Sequence, residues 1–198
     1  MDSKTAIKQL SQLSKYKTNR RLAAESWNKP WKTLIATLLS ARTLDTTTIP
    51  VSEILFKKYP TSDKLANAKL KDVMGIIRPV NYYRNKSKYV IKCCKQLRKF
   101  KGVPPSDIDE LVKLMGVGRK TANVFLAEQG LPAIGVDTHV ARLSFKLGWT
   151  KNEDPVKVEN DLKKLFPKSK WNSLNYILVN FGQSHNRQEE DEILSKIK

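Results

Sequence analysis

The sequence predicts an all-α protein, and three observations support this. Apolar residues recur at spacings of three and four along most of the chain, the periodicity of helices that bury one face. Prolines and glycines separate these segments, and no segment shows a convincing strand pattern. With 198 residues and 40% hydrophobic content, the chain can form one compact unit or two small lobes.

The first half of the chain is predicted to contain six helices. An amphipathic helix over 3–15 is followed by a basic linker and by Pro30, which suits the first turn of a helix over 31–42. That second helix is apolar around most of its circumference, as expected of a central buried helix, and its end at Ser40–Arg42 turns polar. The other predicted helices are 45–58, 62–67, 69–77 and 83–99.

The second half begins with a predicted capping box, Ser106 with Asp109, that opens a short helix before a glycine hairpin. Asp137 or Thr138 is expected to cap a later helix. In the last helix, acidic residues come first and Lys196 and Lys198 come last, which complements the helix dipole. The helices predicted here are 119–129, one ending at Gly148, 155–166, a stripe over 174–182, and 186–197.

The charge balance points to a polyanionic partner. Thirty-seven Lys and Arg residues against 19 Asp and Glu give a net charge of +18 and a pI near 9.9. Neutralising phosphates releases counterions and favours binding to nucleic acid. A lysine-rich, AT-biased genome, ribosomal binding or a membrane surface would also fit, so charge alone does not name the partner.

Targeting and redox signals are absent from the sequence. The N-terminus lacks an apolar stretch behind a basic start, and the longest apolar run, around 34–41, is too short to span a bilayer. Cys93 and Cys94 are adjacent and cannot join distant parts of the chain. We therefore expect no membrane association, a cytoplasmic or nuclear location, and cysteines without a redox role.

The most informative segment is Leu-Met-Gly-Val-Gly-Arg-Lys-Thr-Ala-Asn at 114–123. Gly116 and Gly118 can adopt positive φ, which lets the chain reverse in few residues. Amides at the reversal and at the start of the next helix can then hold a phosphate. Lys120 follows immediately, and Asp137 comes 17 residues later. A lysine beside a bound backbone phosphate is well sited to attack the sugar, although Lys120 could be a solvated basic residue and Asp137 a plain N-cap.

With these residues the chain resembles the helix-hairpin-helix DNA glycosylases of the endonuclease III family. The matching text is 114–124 and 134–142, with support from 34–41 and 82–86 and weaker similarity over about 30–182. The resemblance implies a two-lobed helical fold. A six-helix barrel over 28–132 would contain the helix-hairpin-helix (107–129), and residues 1–27 plus 133–198 would form the second lobe. Lys120 and Asp137 would face each other across the cleft.

The resemblance also implies the chemistry. A bifunctional DNA glycosylase/AP lyase of base excision repair flips a damaged base, with oxidised pyrimidines expected, out of double-stranded DNA. Asp137 would stabilise positive charge on the sugar, and Lys120 would attack C1′ and form a Schiff base. Elimination would then nick the strand at the abasic site. The expected enzyme is a monomer that acts in the nucleoid, or in the nucleus of a eukaryote.

Further site residues are carried over by the resemblance. Arg42 and Tyr82 stand where many relatives have Gln and Leu. There, Arg could bond an orphaned guanine and Tyr could wedge into the stack, or they could be a phosphate-binding Arg and a half-buried Tyr. His139 is expected to be a structural hydrogen-bonder rather than an acid–base group. The expected DNA-binding residues are Ser40, Arg42, Tyr82, Gly116, Val117, Gly118, Arg119, Thr121 and His139.

The cofactor expectation departs from the family. Many relatives end in four spaced cysteines that hold a [4Fe–4S] cluster, whereas the corresponding tail here, 181–190, contains none. We expect no cluster, and expect Ile193, Leu194 and Ile197 to pack the last helix in its place. A structural Na⁺ or K⁺ is expected at the backbone carbonyls of Val112, Leu114 and Val117.

Two alternative functions remain open at this point. One is a glycosylase for G·T or G·U mismatches, or an enzyme that acts mainly as an AP lyase. The other is a non-catalytic DNA-binding module that uses the hairpin only for phosphate contacts, for which a carboxylate such as Asp137 has no evident use.

Overall fold

A computed structural model describes residues 1–18 and 20–197. Within them the chain forms twelve α-helices and no strand, which confirms the predicted fold class. Lys198, predicted to complement the dipole of the last helix, lies outside the described residues. The helices are α1 Ser3–Leu13, α2 Pro30–Ser40, α3 Asp45–Lys58, α4 Ser62–Ala66, α5 Leu70–Ile76, α6 Tyr83–Leu97, α7 Ile108–Leu111, α8 Arg119–Glu128, α9 Thr138–Lys146, α10 Pro155–Leu165, α11 Lys168–Ser184 and α12 Arg187–Lys196.

The helices belong to two compact units. We call Arg21–Gln129 the central unit, and Met1–Arg20 together with Gly130–Lys198 the terminal unit. The lobe boundaries expected from the resemblance, 28–132 and 1–27 with 133–198, stay a prediction. No helix among the described residues combines the length and apolar character that crossing a membrane requires.

The central unit is built around α2. Pro30 occupies its first turn, as predicted, where a missing N–H costs no hydrogen bond. Trp31 and every residue from Thr33 to Leu39 are buried, which confirms the predicted central helix. Helices α3, α6 and α8 all pack against it. Arg42 comes two residues after Ser40, the last residue of this buried helix, so the packing of α2 supports its position.

Helix α6 forms a second wall of the central unit. It buries Val90, Ile91 and Leu97 on one face, together with both cysteines. Burial raises the pKa of the Cys93 thiol to about 12, and Cys94 shifts in the same direction. Thiols held protonated in this way are poor nucleophiles and poor metal ligands.

The helix before the hairpin differs in one detail from the sequence prediction. Asp107, not Ser106, is the N-cap of α7, and its carboxylate accepts a hydrogen bond from the Glu110 amide at 3.0 Å. The predicted capping box was wrong by one residue. Both Ser and Asp suit an N-cap, so the local pattern could not distinguish neighbouring start positions.

The terminal unit packs α9 and α10 together and sets α11 against α1 and α9. Side chains cap three of its helix starts. Asp137 caps α9, as predicted, and Asp154 caps α10, while Asn186 and Glu189 form a capping box at α12 that the sequence analysis did not predict. A buried hydrogen bond of 2.6 Å from the Trp149 indole to Gln9 ties α1 into this unit.

Candidate active site

The hairpin that joins α7 to α8 lies directly on two helices of the central unit. Gly116 has φ +80°, and a Cβ there would come within 2.8 Å of the Tyr89 Cβ and 3.0 Å of the Leu38 Cδ1. Only glycine both adopts positive φ readily and lacks the Cβ for which there is no space here. Gly118, by contrast, is extended and has open space around its Cα, so only one of the two glycines uses positive φ.

A side chain that the sequence analysis missed also holds the hairpin. The Gln96 amide on α6 accepts a hydrogen bond from the Met115 amide at 2.7 Å and donates one to the Lys113 carbonyl at 3.1 Å. These two bonds fix the backbone just before Gly116. Nothing in the local sequence distinguishes Gln96 from a solvated helix residue, because its partners lie 17 and 19 residues away.

Lys120 is the second residue of α8 and is half-buried. Within the central unit, no hydrogen bond or ion pair of the described residues engages its amine. The first amides of α8 lack intrahelical partners and point out of the helix start, where an anion can bind. The structure thus groups Gly116, Gly118, Arg119, Lys120 and Thr121 on one hairpin, with Arg119 exposed and Thr121 buried.

The expected cation site lies in the same turn. The Leu114 carbonyl accepts a hydrogen bond from the Val117 amide at 3.0 Å, which closes the reversal, and Val112 is the C-cap of α7. A carbonyl oxygen has two lone pairs, so this bond leaves room for a second partner on Leu114. The monovalent cation stays a prediction.

Arg42 and Tyr82 form a second cluster in the central unit. Both are exposed, and the Arg42 guanidinium lies 5.9 Å from the centroid of the Tyr82 ring and 3.4 Å from its hydroxyl. Both residues also adopt left-handed backbone conformations, with φ +55° and +59°. Such conformations cost non-glycine residues about 1–2 kcal/mol and tend to persist at functional sites. Nearby Ser40 is half-buried, and its hydroxyl donates to the Thr37 carbonyl at 2.9 Å.

In the terminal unit, Asp137 has one oxygen occupied and one open. Its Oδ1 accepts hydrogen bonds from the amides of His139 and Val140, both at 2.9 Å, which is the N-cap interaction. No described residue of this unit bonds Oδ2. Asp137 is half-buried, so the same carboxylate can cap the helix and present an oxygen for chemistry. The expectation that Lys120 and Asp137 face each other stays a prediction.

His139 packs inside the terminal unit. Its Nδ1 lies 3.3 Å from Arg142 Nη2, and its ring contacts Gly182 so closely that a Cβ at 182 would collide with it. Burial lowers the pKa of His139, although the Asp137 carboxylate opposes this shift. These contacts agree with the predicted structural role, while DNA binding by His139 stays a prediction.

The last helix is anchored by a buried carboxylate. Glu190 is 1% exposed and forms a two-bond ion pair with Arg142, with Lys146 and Arg187 nearby at 3.7 and 3.8 Å. The sequence predicts only a helix-dipole role for this acid, and the ion pair has no local signal because Arg142 lies 48 residues away. Ile197 is buried as expected, but Ile193 and Leu194 are only half-buried.

Glu190→Ala is therefore expected to destabilise the protein by about 3 kcal/mol, because it leaves Arg142 partly buried without its partner. The melting temperature should fall by roughly 6–12 °C, measured by circular dichroism. Glu192→Ala removes an exposed acid from the same helix and should change stability by less than about 0.5 kcal/mol. Equal effects of the two substitutions would show that the ion pair does not anchor α12.

Comparisons of sequence identify the class of protein. Residues 35–168 match the family described as "HhH-GPD superfamily base excision DNA repair protein". The endonuclease III of Thermotoga maritima is 42% identical over 156 residues, which cover 78% of this chain and 73% of that protein. The endonuclease III of Bacillus subtilis is 39% identical over 161 residues, which cover 80% of this chain and 74% of that protein.

Comparisons of structure lead to the same family as the comparisons of sequence. A trapped covalent intermediate of endonuclease III with DNA superposes with a TM-score of 0.85 at 36% identity and covers 93% of this chain and 88% of that chain. A non-covalent endonuclease III–DNA complex superposes with a TM-score of 0.86 at 35% identity, and the match covers 95% of this chain and 89% of that chain. A thermostable thymine-DNA glycosylase shares the fold: it superposes with a TM-score of 0.84 at 17% identity, and the match covers 98% of this chain and 95% of that chain.

The helical fold and the glycine hairpin define a helix-hairpin-helix protein of base excision DNA repair. More narrowly, the chain belongs to the endonuclease III family within the HhH-GPD superfamily. The predicted function is confirmed at this level: a DNA glycosylase with AP lyase activity that acts on damaged pyrimidines in DNA. The interpretation as a catalyst, and not as a passive DNA-binding module, is thereby confirmed.

Proposed function

We propose that Lys120 is the nucleophile of this glycosylase/AP lyase. The observation that carries the proposal is its position, directly after a glycine turn packed on α2 and α6, with its amine unengaged within the central unit. A phosphate held at the hairpin amides brings a sugar close to such an amine. Attack of the unprotonated Nζ on C1′ displaces the base, and opening of the sugar ring at the C1′–O4′ bond, with a proton passing from the amine to O4′, then leaves a Schiff base.

Asp137 supplies the carboxylate of the proposed mechanism. Positive charge builds on the deoxyribose as the base departs, and the open Oδ2 can stabilise that charge and help take a proton from the nucleophile. The Oδ1 bonds to the amides of His139 and Val140 fix the orientation of the group. Loss of a C2′ proton from the Schiff base then expels the 3′ phosphate and nicks the strand.

Recognition of the damaged duplex is assigned to the hairpin and to the Arg42–Tyr82 pair. The hairpin residues, Arg119 included, bind the phosphate backbone of the DNA and do not read its base sequence. Tyr82, 60% exposed, is suited to fill the stack after the base leaves, and Arg42 is suited to bond the base opposite. The positive net charge increases affinity for any DNA and makes it salt-dependent.

The chain is proposed to function without a [4Fe–4S] cluster. Such a cluster takes four cysteine thiolates, and the whole sequence has only Cys93 and Cys94, both buried side by side on α6. The residues present do not fit the group. In this proposal the ion pairs of Glu190 with Arg142 and Lys146 hold the C-terminal helix by other means.

Arg42 also supports a second candidate substrate, a G·T or G·U mismatch. Arginine is the residue that most often binds guanine, through O6 and N7. An enzyme that places arginine at the opposite base can favour lesions paired with guanine whatever the pyrimidine is.

We place this activity on chromosomal DNA, in the nucleoid of a prokaryote or the nucleus of a eukaryote.

The test is a panel of duplexes carrying thymine glycol, uracil, thymine opposite guanine, or an abasic site. Base release and strand cleavage are measured separately, with and without borohydride. The proposal predicts release of oxidised pyrimidines, cleavage of abasic DNA, and a covalent protein–DNA adduct that borohydride traps. Absence of any adduct from the wild-type enzyme on all four duplexes would refute the lysine mechanism, and release confined to mismatched thymine and uracil would favour the second candidate.

A further inference from the structure

Lys86 on α6 is a buried cation that the mechanism above does not use. It is 6% exposed, and its Nζ donates hydrogen bonds to the Leu39 carbonyl at 2.7 Å, the Ala41 carbonyl at 2.5 Å and the Thr43 hydroxyl at 3.2 Å. An ammonium group has three N–H donors, so these partners use all of them. No described residue pairs a carboxylate with it.

The bonds of Lys86 meet the C-terminal end of α2. The last carbonyls of a helix have no intrahelical donors and carry the negative end of the helix dipole. A cation placed there donates hydrogen bonds to these carbonyls and offsets the negative end of the dipole. Methionine in this place would fill a similar volume without the cost of burying a charge, so what lysine adds here is its three hydrogen-bond donors. Burial lowers the pKa of Lys86 to about 8, which fits a charge kept inside by hydrogen bonds alone.

The loop that follows α2 is bound from a second direction by Asn81. Its side-chain amide donates to the Arg42 carbonyl at 2.5 Å, and its backbone amide donates to the Thr43 hydroxyl at 3.2 Å. The Thr43 hydroxyl is therefore shared by Lys86 and Asn81. Residues on both sides of Arg42, and its own carbonyl, are thus fixed by the segment that carries Tyr82.

The same small region contains two of the four non-glycine residues that have positive φ in the described chain, Arg42 and Tyr82. A left-handed conformation is unstable in a free loop and persists only where neighbouring contacts require it. At Arg42 the Thr43 amide donates to the Ser40 carbonyl at 2.9 Å, which closes the turn, and the bonds made by Lys86 and Asn81 hold the residues on both sides. Without the bonds made by Lys86 and Asn81, we expect the backbone at residue 42 to relax toward negative φ, which would redirect its side chain.

We propose that Lys86 is a positioning residue for opposite-base recognition: by binding the C-terminal carbonyls of α2 and Thr43, it holds Arg42 beside Tyr82 in the orientation that reads the base across from the lesion. The proposal rests on the assignment of Arg42 to the opposite base. Lys86 itself touches neither DNA nor the reacting atoms in this mechanism.

The first measurement needs no substrate. Amide hydrogen exchange is compared for Lys86→Met and for Lys95→Met, which removes one exposed lysine from the same helix and serves as the charge-matched control. In Lys86→Met, exchange in residues 41–44 and 81–84 should accelerate about tenfold or more relative to the control. Unchanged exchange in these two segments would show that Lys86 does not hold them, and would overturn the proposal.

The second measurement is the ratio of excision rates for one lesion opposite guanine and opposite adenine. Arg42→Ala should lower this ratio about tenfold, within the range of one arginine–guanine contact. Lys86→Met should lower it similarly, and the double variant should show no further fall, because both changes remove one function. Faster exchange with an unchanged ratio would overturn the positioning role and leave Lys86 as a structural residue only.

Two checks keep the outcomes separate. If Lys86→Met does not fold, Thr43→Val, which removes the acceptor shared by Lys86 and Asn81, takes its place in both measurements with the same supporting and contradicting results. Failure of the proposed function appears elsewhere, as the absence of a borohydride adduct from the wild-type enzyme. Loss of selectivity in Lys86→Met with the adduct still formed therefore tests only the present inference.

Discussion

Lys120→Ala is expected to abolish the borohydride-trapped adduct and to reduce strand cleavage at abasic sites by at least about 10³-fold, because the covalent step loses its nucleophile. DNA affinity should change little, since the hairpin amides that hold the phosphate remain. Adduct yield on a gel and a filter-binding titration with the same duplex separate the two quantities.

Lys113→Ala is the matched control for this substitution. Lys113 belongs to the same hairpin segment, is exposed, and pairs with Glu110 at 2.5 Å, so its loss removes the same charge without touching α8. It should form adduct at nearly the wild-type rate. An adduct that survives in Lys120→Ala, or one that disappears equally in both variants, would exclude Lys120 as the nucleophile.

Asp137→Asn is expected to slow base excision by roughly 10²–10³-fold while leaving stability within about 0.5 kcal/mol of wild type. Asparagine caps a helix about as well as aspartate, so the bonds to the His139 and Val140 amides persist. The negative charge that stabilises the sugar cation is lost. Single-turnover excision and thermal unfolding measure the two effects independently.

Asp154→Asn provides the comparison, because Asp154 caps α10 through two amide bonds of 3.0 Å in the same manner. It should retain both activity and stability. If Asp137→Asn excised bases at the wild-type rate, the carboxylate would be only a cap. If its activity fell in proportion to its melting temperature, damage to the fold would explain the loss.

Elements whose cause is local could be predicted from the sequence. Helix α2 follows from its run of apolar residues and Pro30, and α9 and α10 follow from Asp137 and Asp154. The hairpin could be predicted because the turn and the start of α8, where Lys120 lies, are only a few residues apart. The error at Asp107 arose where adjacent residues offered equivalent caps.

Other parts of the site could not be predicted, because their partners are distant in sequence. Lys86 bonds carbonyls 45 and 47 residues before it, and Glu190 pairs with an arginine 48 residues before it. Each of these residues resembles an ordinary surface charge in one-dimensional sequence. The left-handed conformations of Arg42 and Tyr82 also have no sequence signal, since positive φ is usually marked by glycine or asparagine.

The absence of a side chain at Gly116 has a consequence for how this protein can vary. The turn lies so close to Leu38 and Tyr89 that a methyl group added at Gly116 would collide with both side chains. The effect of a substitution at residue 116 is therefore expected to depend on which side chains occupy positions 38 and 89. A directed-evolution library that randomises Gly116 alone should consist mostly of enzymes with a displaced turn, whereas joint randomisation of the three positions can recover new combinations.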